Sequence, residues 1–321
     1  MTPSPPPDDA PDSLPDLGVH ISPPALGRWR QGNTGIEGFT SRAAPRAGPH
    51  VVMTALVHGN EFAGAIALCE WLEAGFTPPV GRLTLGFANL AAFDRFDPEN
   101  PLASRHVEED LNRVWDDFAL FGVRRSVELD RARAMRPLID GADILLDLHT
   151  MLWPGAPLLL CGAGPRGAAL GRQVGTPATL VADAGHVGGK RLIDYGRFTE
   201  GGGQNAAALL AETGLHWHPD AVAQARATIA ATLAAAGMLA RPAPPPPRFA
   251  EVVQTVTART SRFRFARPFA SGTVIAEAGT VIAHDGDTPV RTPEDNLMLV
   301  LPSLKVAHGH TAVRLARLAG H

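Results

Sequence analysis

"VVMTALVHGNEFAGAIALCEWLE", residues 51–73, changes its period in the middle. Val51–Val57 is apolar and rich in β-branched residues, the composition of a buried strand. Phe62–Glu73 reads instead as a helix. Between them stand His58 and Glu61, three positions apart, with Gly59 and Asn60. Such a pair is either polar punctuation between strand and helix or half of a metal site. An i, i+3 spacing in a helical turn lets both side chains face one point, and Gly59 permits a tight turn between them.

The same alternation continues outward. Arg82–Ala88 reads as a strand and Val123–Ile139 as a helix rich in Arg, Glu and Ala. Ala142–Leu148, Pro157–Cys161, Ala178–Ala182 and Ala206–Ala211 are short apolar strand runs, and Pro219–Ala236 is an Ala-rich helix. Strands alternating with helices predict an α/β domain whose sheet is largely parallel and covered on both faces. The character changes at "RPAPPPPRF", residues 241–249, where consecutive prolines form a stiff, extended connector. Beyond it come short alternating runs such as "VVQTVTA", punctuated by Gly and Asp, which predict a small all-β domain. The echo of "GTVIAEA" (272–278) in "GTVIAHD" (279–285) reads as consecutive strands. The expected division is a disordered Pro/Asp-rich tail over 1–16, an α/β domain over 17–240, a linker over 241–248 and a β domain over 249–321.

Composition narrows the function. Of 321 residues, 45% are hydrophobic, ample for a buried core, and a formal net charge of −3 gives no basic footprint for nucleic acid. Cys69 and Cys161 lie within apolar segments and read as buried thiols in a reducing compartment. The opening residues have neither the basic start nor the apolar stretch of a signal peptide, and no apolar run reaches the ~18 residues of a membrane span. A cytoplasmic protein with a small-molecule partner is the expectation.

Three further clusters sit where an α/β sheet places its sites, at strand ends. His149 closes "ILLDLHT", with Asp147 on the same strand face. There Asp147 is available to orient an imidazole if His149 is a metal ligand. "SRHVEEDLNRVWDDF" (104–118) sets Asn112 and Arg113 beside an acidic run. By composition this is a solvated helix start, yet a guanidinium fork also suits a substrate carboxylate. Glu212 ends "AALLAETG", either as a proton shuttle or as a structural carboxylate paired with an arginine. A zinc hydrolase needs three protein ligands, an open position and such a carboxylate.

In order, HGNE, DLNR, DLHT and ETG resemble the succinylglutamate desuccinylase/aspartoacylase family, relatives of the zinc carboxypeptidases. The resemblance runs from about residue 50 to the C-terminus. It implies a three-layer α/β/α carboxypeptidase-like sandwich followed by a smaller β domain. The implied reaction is hydrolysis of the amide joining an acyl group to an amino acid. It assigns His58, Glu61 and His149 to one zinc ion per chain, and Glu212 to activating water and shuttling its proton. Arg105 is assigned to polarising the scissile carbonyl, and Asn112 and Arg113 to holding a substrate carboxylate. Family members specific for N-acyl-aspartate carry a further arginine before the glutamate. Here Arg191, Tyr195 and Arg197 compete for that role, and His216 either lines the pocket or packs.

Other readings compete. "CGAGPRGAALG" (161–171) contains G-x-G-x-x-G, with Asp183 near where a dinucleotide fold puts its acid, but its helix holds only about two or three turns. It reads better as a Gly-rich turn near the pocket. No serine has a nucleophile-elbow setting. "HWH" (216–218) and "HGH" (308–310) each place two imidazoles on one strand face and read as surface or packing residues. A metal-stabilised binding module and an ester hydrolase of the same fold remain as alternatives.

Overall fold

A computed structural model describes residues 18–186, 188–199, 202, 205–303 and 305–319. The expected tail over 1–16 lies outside them. The chain divides into two compact units, one of Gly18–Leu152 with Pro157–Phe249, the other of residues 153–156 with those from Ala250 onward.

In the first unit the chain runs through β1 (Phe39–Ala43), β2 (His50–Ala55), α1 (Ala63–Glu73), β3 (Arg82–Phe87), α2 (Leu90–Phe93), α3 (Asp117–Phe121) and α4 (Val127–Asp140). It continues through β4 (Ile144–Met151), β5 (Leu158–Leu160), α5 (Pro165–Val174), β6 (Thr179–Ala182), β7 (Ala207–Leu215) and α6 (Pro219–Ala235). Its strands are ordered β1-β3-β2-β4-β7-β5-β6. The central strands β3, β2, β4 and β7 are parallel to one another. Two reversals depart from the expected parallel run: β1 is antiparallel to β3, and β5 is antiparallel to β7. Strand β1 carries Ser41 and Arg42 at an edge, and its mixed composition hid it from the pattern.

Alternation along the central strands explains the layers. Val51, Met53, Leu146, Leu148, Leu209 and Ala211 share one core with residues of α1, α5 and α6. The intervening Val52, Leu145, Ala208 and Leu210 are buried as well. The sheet is thus covered on both faces, as an α/β/α sandwich requires. Helix α4 begins later than the periodicity suggests, because the Ser126 side chain accepts from Leu129 N–H and fixes the start. Gly64 lets α1 lie close on the sheet, since a Cβ there would stand 2.7 Å from Leu148 Cβ.

The second unit holds most of β8 (Arg248–Thr257) with β9 (Phe263–Phe265), β10 (Val274–Ile275), β11 (Val281–Asp285), β12 (Thr288–Arg291), β13 (Leu297–Val300) and β14 (Thr311–Leu318). Strands β8, β14, β13 and β10 pair antiparallel in that order, while β12, β11 and β9 form a separate small sheet. The two halves of the "GTVIA" echo, β10 and β11, are consecutive strands that enter different sheets.

Candidate metal centre

Three of the candidate side chains converge at the carboxyl ends of β2 and β4. After β2 the backbone turns at Leu56, a non-glycine residue with φ of 61°, a conformation retained only where the surroundings enforce it. Residues 58–61 form a turn closed by the Glu61 N–H donating to the His58 carbonyl at 3.1 Å, ahead of α1. Gly59 has another role than the expected one. A Cβ there would fall 2.4 Å from the Ala92 and Phe93 backbone and 2.5 Å from the Ser104 carbonyl oxygen, so close approach excludes a side chain.

Glu61 is the hub. Its Oε1 lies 2.8 Å from His58 Nδ1, and its Oε2 lies 3.1 Å from His149 Nδ1. The two imidazoles stand nearly edge to face with centroids 5.0 Å apart. One ligand atom from each of the three residues lies within 4.8 Å of the others, and all three side chains are buried. The remaining nitrogens are held by aspartates. His149 Nε2 is 2.7 Å from Asp147 Oδ2, and Asp147 Oδ1 accepts from the Thr54 hydroxyl at 2.7 Å. His58 Nε2 is 3.0 Å from Asp110 Oδ1. Each imidazole is therefore oriented from behind by a carboxylate, the arrangement that prepares a histidine to ligate a metal. The sequence pointed to Asp147 for this task. Asp110 was missed, because its partner lies 52 positions away.

The electrostatics are those of a cradle for a cation. Burial pushes the Glu61 carboxyl up, but His58 and His149 outweigh it and hold the carboxyl well below its usual range. Burial alone would depress His149, yet Asp147 and Glu61 raise it well above an ordinary histidine. Asp110 is likewise held low against its burial, by His58, Arg105 and Arg113. Two imidazoles facing one carboxylate can both be satisfied by taking protons or by sharing a metal ion. Nδ1 of each ring faces Glu61 while an aspartate lies at the far nitrogen, and this His–Glu–His set can hold a metal.

Arg105 enters the same space. Its Nη1 donates to Glu61 Oε1 at 3.0 Å, and its Nη2 lies 2.8 Å from His58 Nε2 and 3.3 Å from Asp110 Oδ2. Burial opposes its charge, but Asp110, Glu61 and Glu212 raise its pKa further. Glu212 is the register partner of His149 across β4 and β7. Paired residues of parallel strands share a face, so the half-buried Glu212 and His149 project from the same side of the sheet.

Asn112 and Arg113 occupy a short 3₁₀ turn capped by Asp110. Far from being a solvated helix start, the acidic run before them is engaged by backbone and side-chain donors. Asn112 is buried and its Oδ1 accepts from Leu192 N–H at 2.8 Å. Arg113 donates to the Asn112 carbonyl at 2.7 Å, and its Nη2 lies 3.1 Å from His186 Nε2.

The contenders in the following segment are committed elsewhere. Arg191 is buried and grips Asp183 at 2.7 and 2.9 Å and Asp194 at 2.6 and 3.0 Å. The Tyr195 hydroxyl donates to Asp140 at 2.7 Å, and Arg197 donates to the Ala142 carbonyl and Asp143. His216, by contrast, lines the cradle: Nδ1 is 2.6 Å from the Thr150 hydroxyl and Nε2 is 4.0 Å from Glu61 Oε1. Burial, first of all, lowers its pKa to about 4. Trp217 adopts φ of 58°, so His216 and His218 do not share a strand face as expected. His218 instead caps α6, and His308 and His310 are exposed.

The glycine motif is structural. A Cβ at Gly167 would lie 2.0 Å from the Cys161 carbonyl oxygen, so the glycine lets α5 pack on the end of β5. Asp183, the acid a dinucleotide would need, is bound to Arg191. Cys69 and Cys161 are free and buried, and burial pushes both thiols up to about 12.

Residues 47–166 match the family model of the succinylglutamate desuccinylase/aspartoacylase catalytic domain. The resemblance carried by the motifs is to this family. The matched residues include HGNE, DLNR and DLHT, while Glu212 lies beyond them. The fold is also that of succinylglutamate desuccinylase from Vibrio cholerae, with 20% identity over 88% of this chain and 86% of that one and a TM-score of 0.69. The enzyme of the same name from Vibrio parahaemolyticus gives 19% identity over 88% and 87%, with a TM-score of 0.67. The ectoine utilization protein EutE from Ruegeria pomeroyi, solved with product bound, gives 18% identity over 87% and 88%, with a TM-score of 0.58. No curated protein sequence matches this chain. Among the described residues, no helix is long and apolar enough to cross a membrane.

Proposed function

We propose that this protein is a zinc-dependent hydrolase that cleaves the amide bond of a small N-acyl amino acid or a related carboxylate-bearing amide. One observation carries the reading: a buried His58–Glu61–His149 ligand set, with Arg105 touching it and Glu212 in register with His149. His and carboxylate donors gathered at strand ends suit zinc. A bound zinc ion supplies Lewis acidity and lowers the pKa of water to about 7.

The protein's own groups supply the rest. Asp110 and Asp147 keep Nδ1 of His58 and His149 turned toward Glu61. Glu212 takes a proton from the attacking water and returns it to the departing amine. Arg105 donates to the carbonyl oxygen as it gains negative charge. Arg113 binds the substrate carboxylate and sets its distance from the scissile bond, with Asn112 fixing the turn that presents it. Arg191, Tyr195 and Arg197 are given no part in it, since each already holds partners of its own.

The test is a panel of N-acyl amino acids and matching esters incubated with metal-analysed protein. Amide turnover that tracks zinc content and disappears in Glu212→Ala is expected. A protein that binds one zinc ion and turns over no member of the panel would instead be a binding module, and faster ester than amide cleavage would move the substrate class.

A further inference from the structure

The run Arg105–Asp110 reaches the cradle at both ends. Arg105 touches Glu61 and His58, while Asp110 orients His58 and caps the turn of Arg113. Its middle is fastened elsewhere, to the first turn of α4. Glu128, fully buried, receives four donors. Its Oε1 accepts from Val107 N–H at 2.6 Å and from the Asn89 amide at 3.1 Å. Its Oε2 accepts from the N–H groups of Glu108 and Glu109 at 3.1 and 3.2 Å.

The clasp is reciprocal. Glu108 accepts from Val127 N–H at 2.7 Å, and Glu109 accepts from the Ser126 hydroxyl. Three successive N–H groups aimed at one point form an anion-binding concavity, filled here by the protein's own carboxylate. Only a carboxylate accepts on both sides, since a glutamine would present an NH₂ to two N–H donors.

We propose that Glu128 is the positioning residue for Arg105 and Asp110, holding the backbone between them so that both ends meet the cradle. The proposal rests on the hydrolase reading for its kinetic consequence, but not for its structural one. A displacement of about 1 Å in a reacting group can cost on the order of 100-fold in rate, and loss of the group behind a metal-binding histidine can cost about 10-fold or more in metal affinity.

The test uses the whole chain with Glu128→Gln. Amide exchange of the peptide spanning 105–110 is expected to accelerate, and chelator competition should show zinc bound about 10-fold more weakly. The kcat should fall about 10- to 100-fold with KM within about twofold. In an Arg105→Ala background the same substitution should cost several-fold less in kcat than in the wild type, because only its action through Asp110 remains. Equal kcat losses in both backgrounds would overturn the proposal, as would wild-type exchange at 105–110. Glu108 is exposed, so Glu108→Gln probes the clasp without entering the core; faster exchange in it supports the proposal should Glu128→Gln not fold, and unchanged exchange opposes it. If the wild-type protein hydrolyses nothing, the proposed function falls, while exchange and zinc competition still decide the role of Glu128.

Discussion

Two buried clusters of charge in the same α/β unit are built in opposite ways. Around Arg191, one guanidinium meets two carboxylates, Asp183 and Asp194, through four hydrogen bonds of 2.6–3.0 Å. The cluster is complete in itself. Around Glu61, three carboxylates (Glu61, Asp110 and Asp147) surround two imidazoles, and Arg105 donates to Glu61 and Asp110. Burial is similar in the two places, so burial does not separate structure from function. Donor type does: the Glu61 cluster gathers a His–Glu–His set that can hold a metal ion, and the Arg191 cluster does not.

The largest expected effect tests that ligand set. Glu61→Gln should abolish zinc retention through gel filtration and reduce hydrolysis to background, while the Arg191 cluster stays intact. Metal analysis checks the first outcome, and retained zinc would mean that the ligand set lies elsewhere. Glu212→Ala should lower kcat about 10²- to 10⁴-fold, the usual weight of a general base, with zinc content unchanged.

Arg191→Met probes the closed cluster. Removing one partner of a buried ion pair costs about 3–5 kcal/mol, so Tm should drop sharply. The KM of the folded fraction should not move if Arg191 serves only Asp183 and Asp194. A raised KM with unchanged Tm would return Arg191 to the list of carboxylate binders.

The smallest effect concerns pH. Burial pushes the Glu128 carboxyl up, but the donors from Val107, Asn89, Glu109 and Glu108 outweigh it and hold the pKa below its ordinary value. A carboxylate depressed in the folded state stabilises the fold above the unfolded pKa of ~4.3 and loses that contribution as pH falls through the folded value. Tm of the wild-type protein should therefore decline below about pH 4, and Glu128→Gln should flatten that part of the decline. A slope unchanged by the substitution would remove Glu128 from the acid response.

The sequence revealed what depends on near neighbours. The β2–α1 junction, the strand end at His149 and the carboxylate at Glu212 each follow from local periodicity, and Asp147 lies two residues from its histidine. Asp110 and Glu128 were hidden because their partners, His58 and Val107, are brought near only by the tertiary fold, and His216 was undecided until Thr150 was placed beside it. Arg191 was left open for the same reason: an arginine near a suspected pocket looks available until Asp183 is placed beside it. Reversal of β5 was equally illegible, since an apolar run of three residues has no direction of its own.

The pairing of His149 with Glu212 has a consequence for how such a chain can change. Their separation is set by the spacing of neighbouring strands, about 4.8 Å, rather than by the 63 positions of sequence between them. Insertions and deletions in that interval leave the pair untouched so long as β4 and β7 keep their register. A slip of one residue, however, would turn Glu212 to the opposite face at once. The intervening loops can then vary while the sheet itself sets how far Glu212 stands from His149.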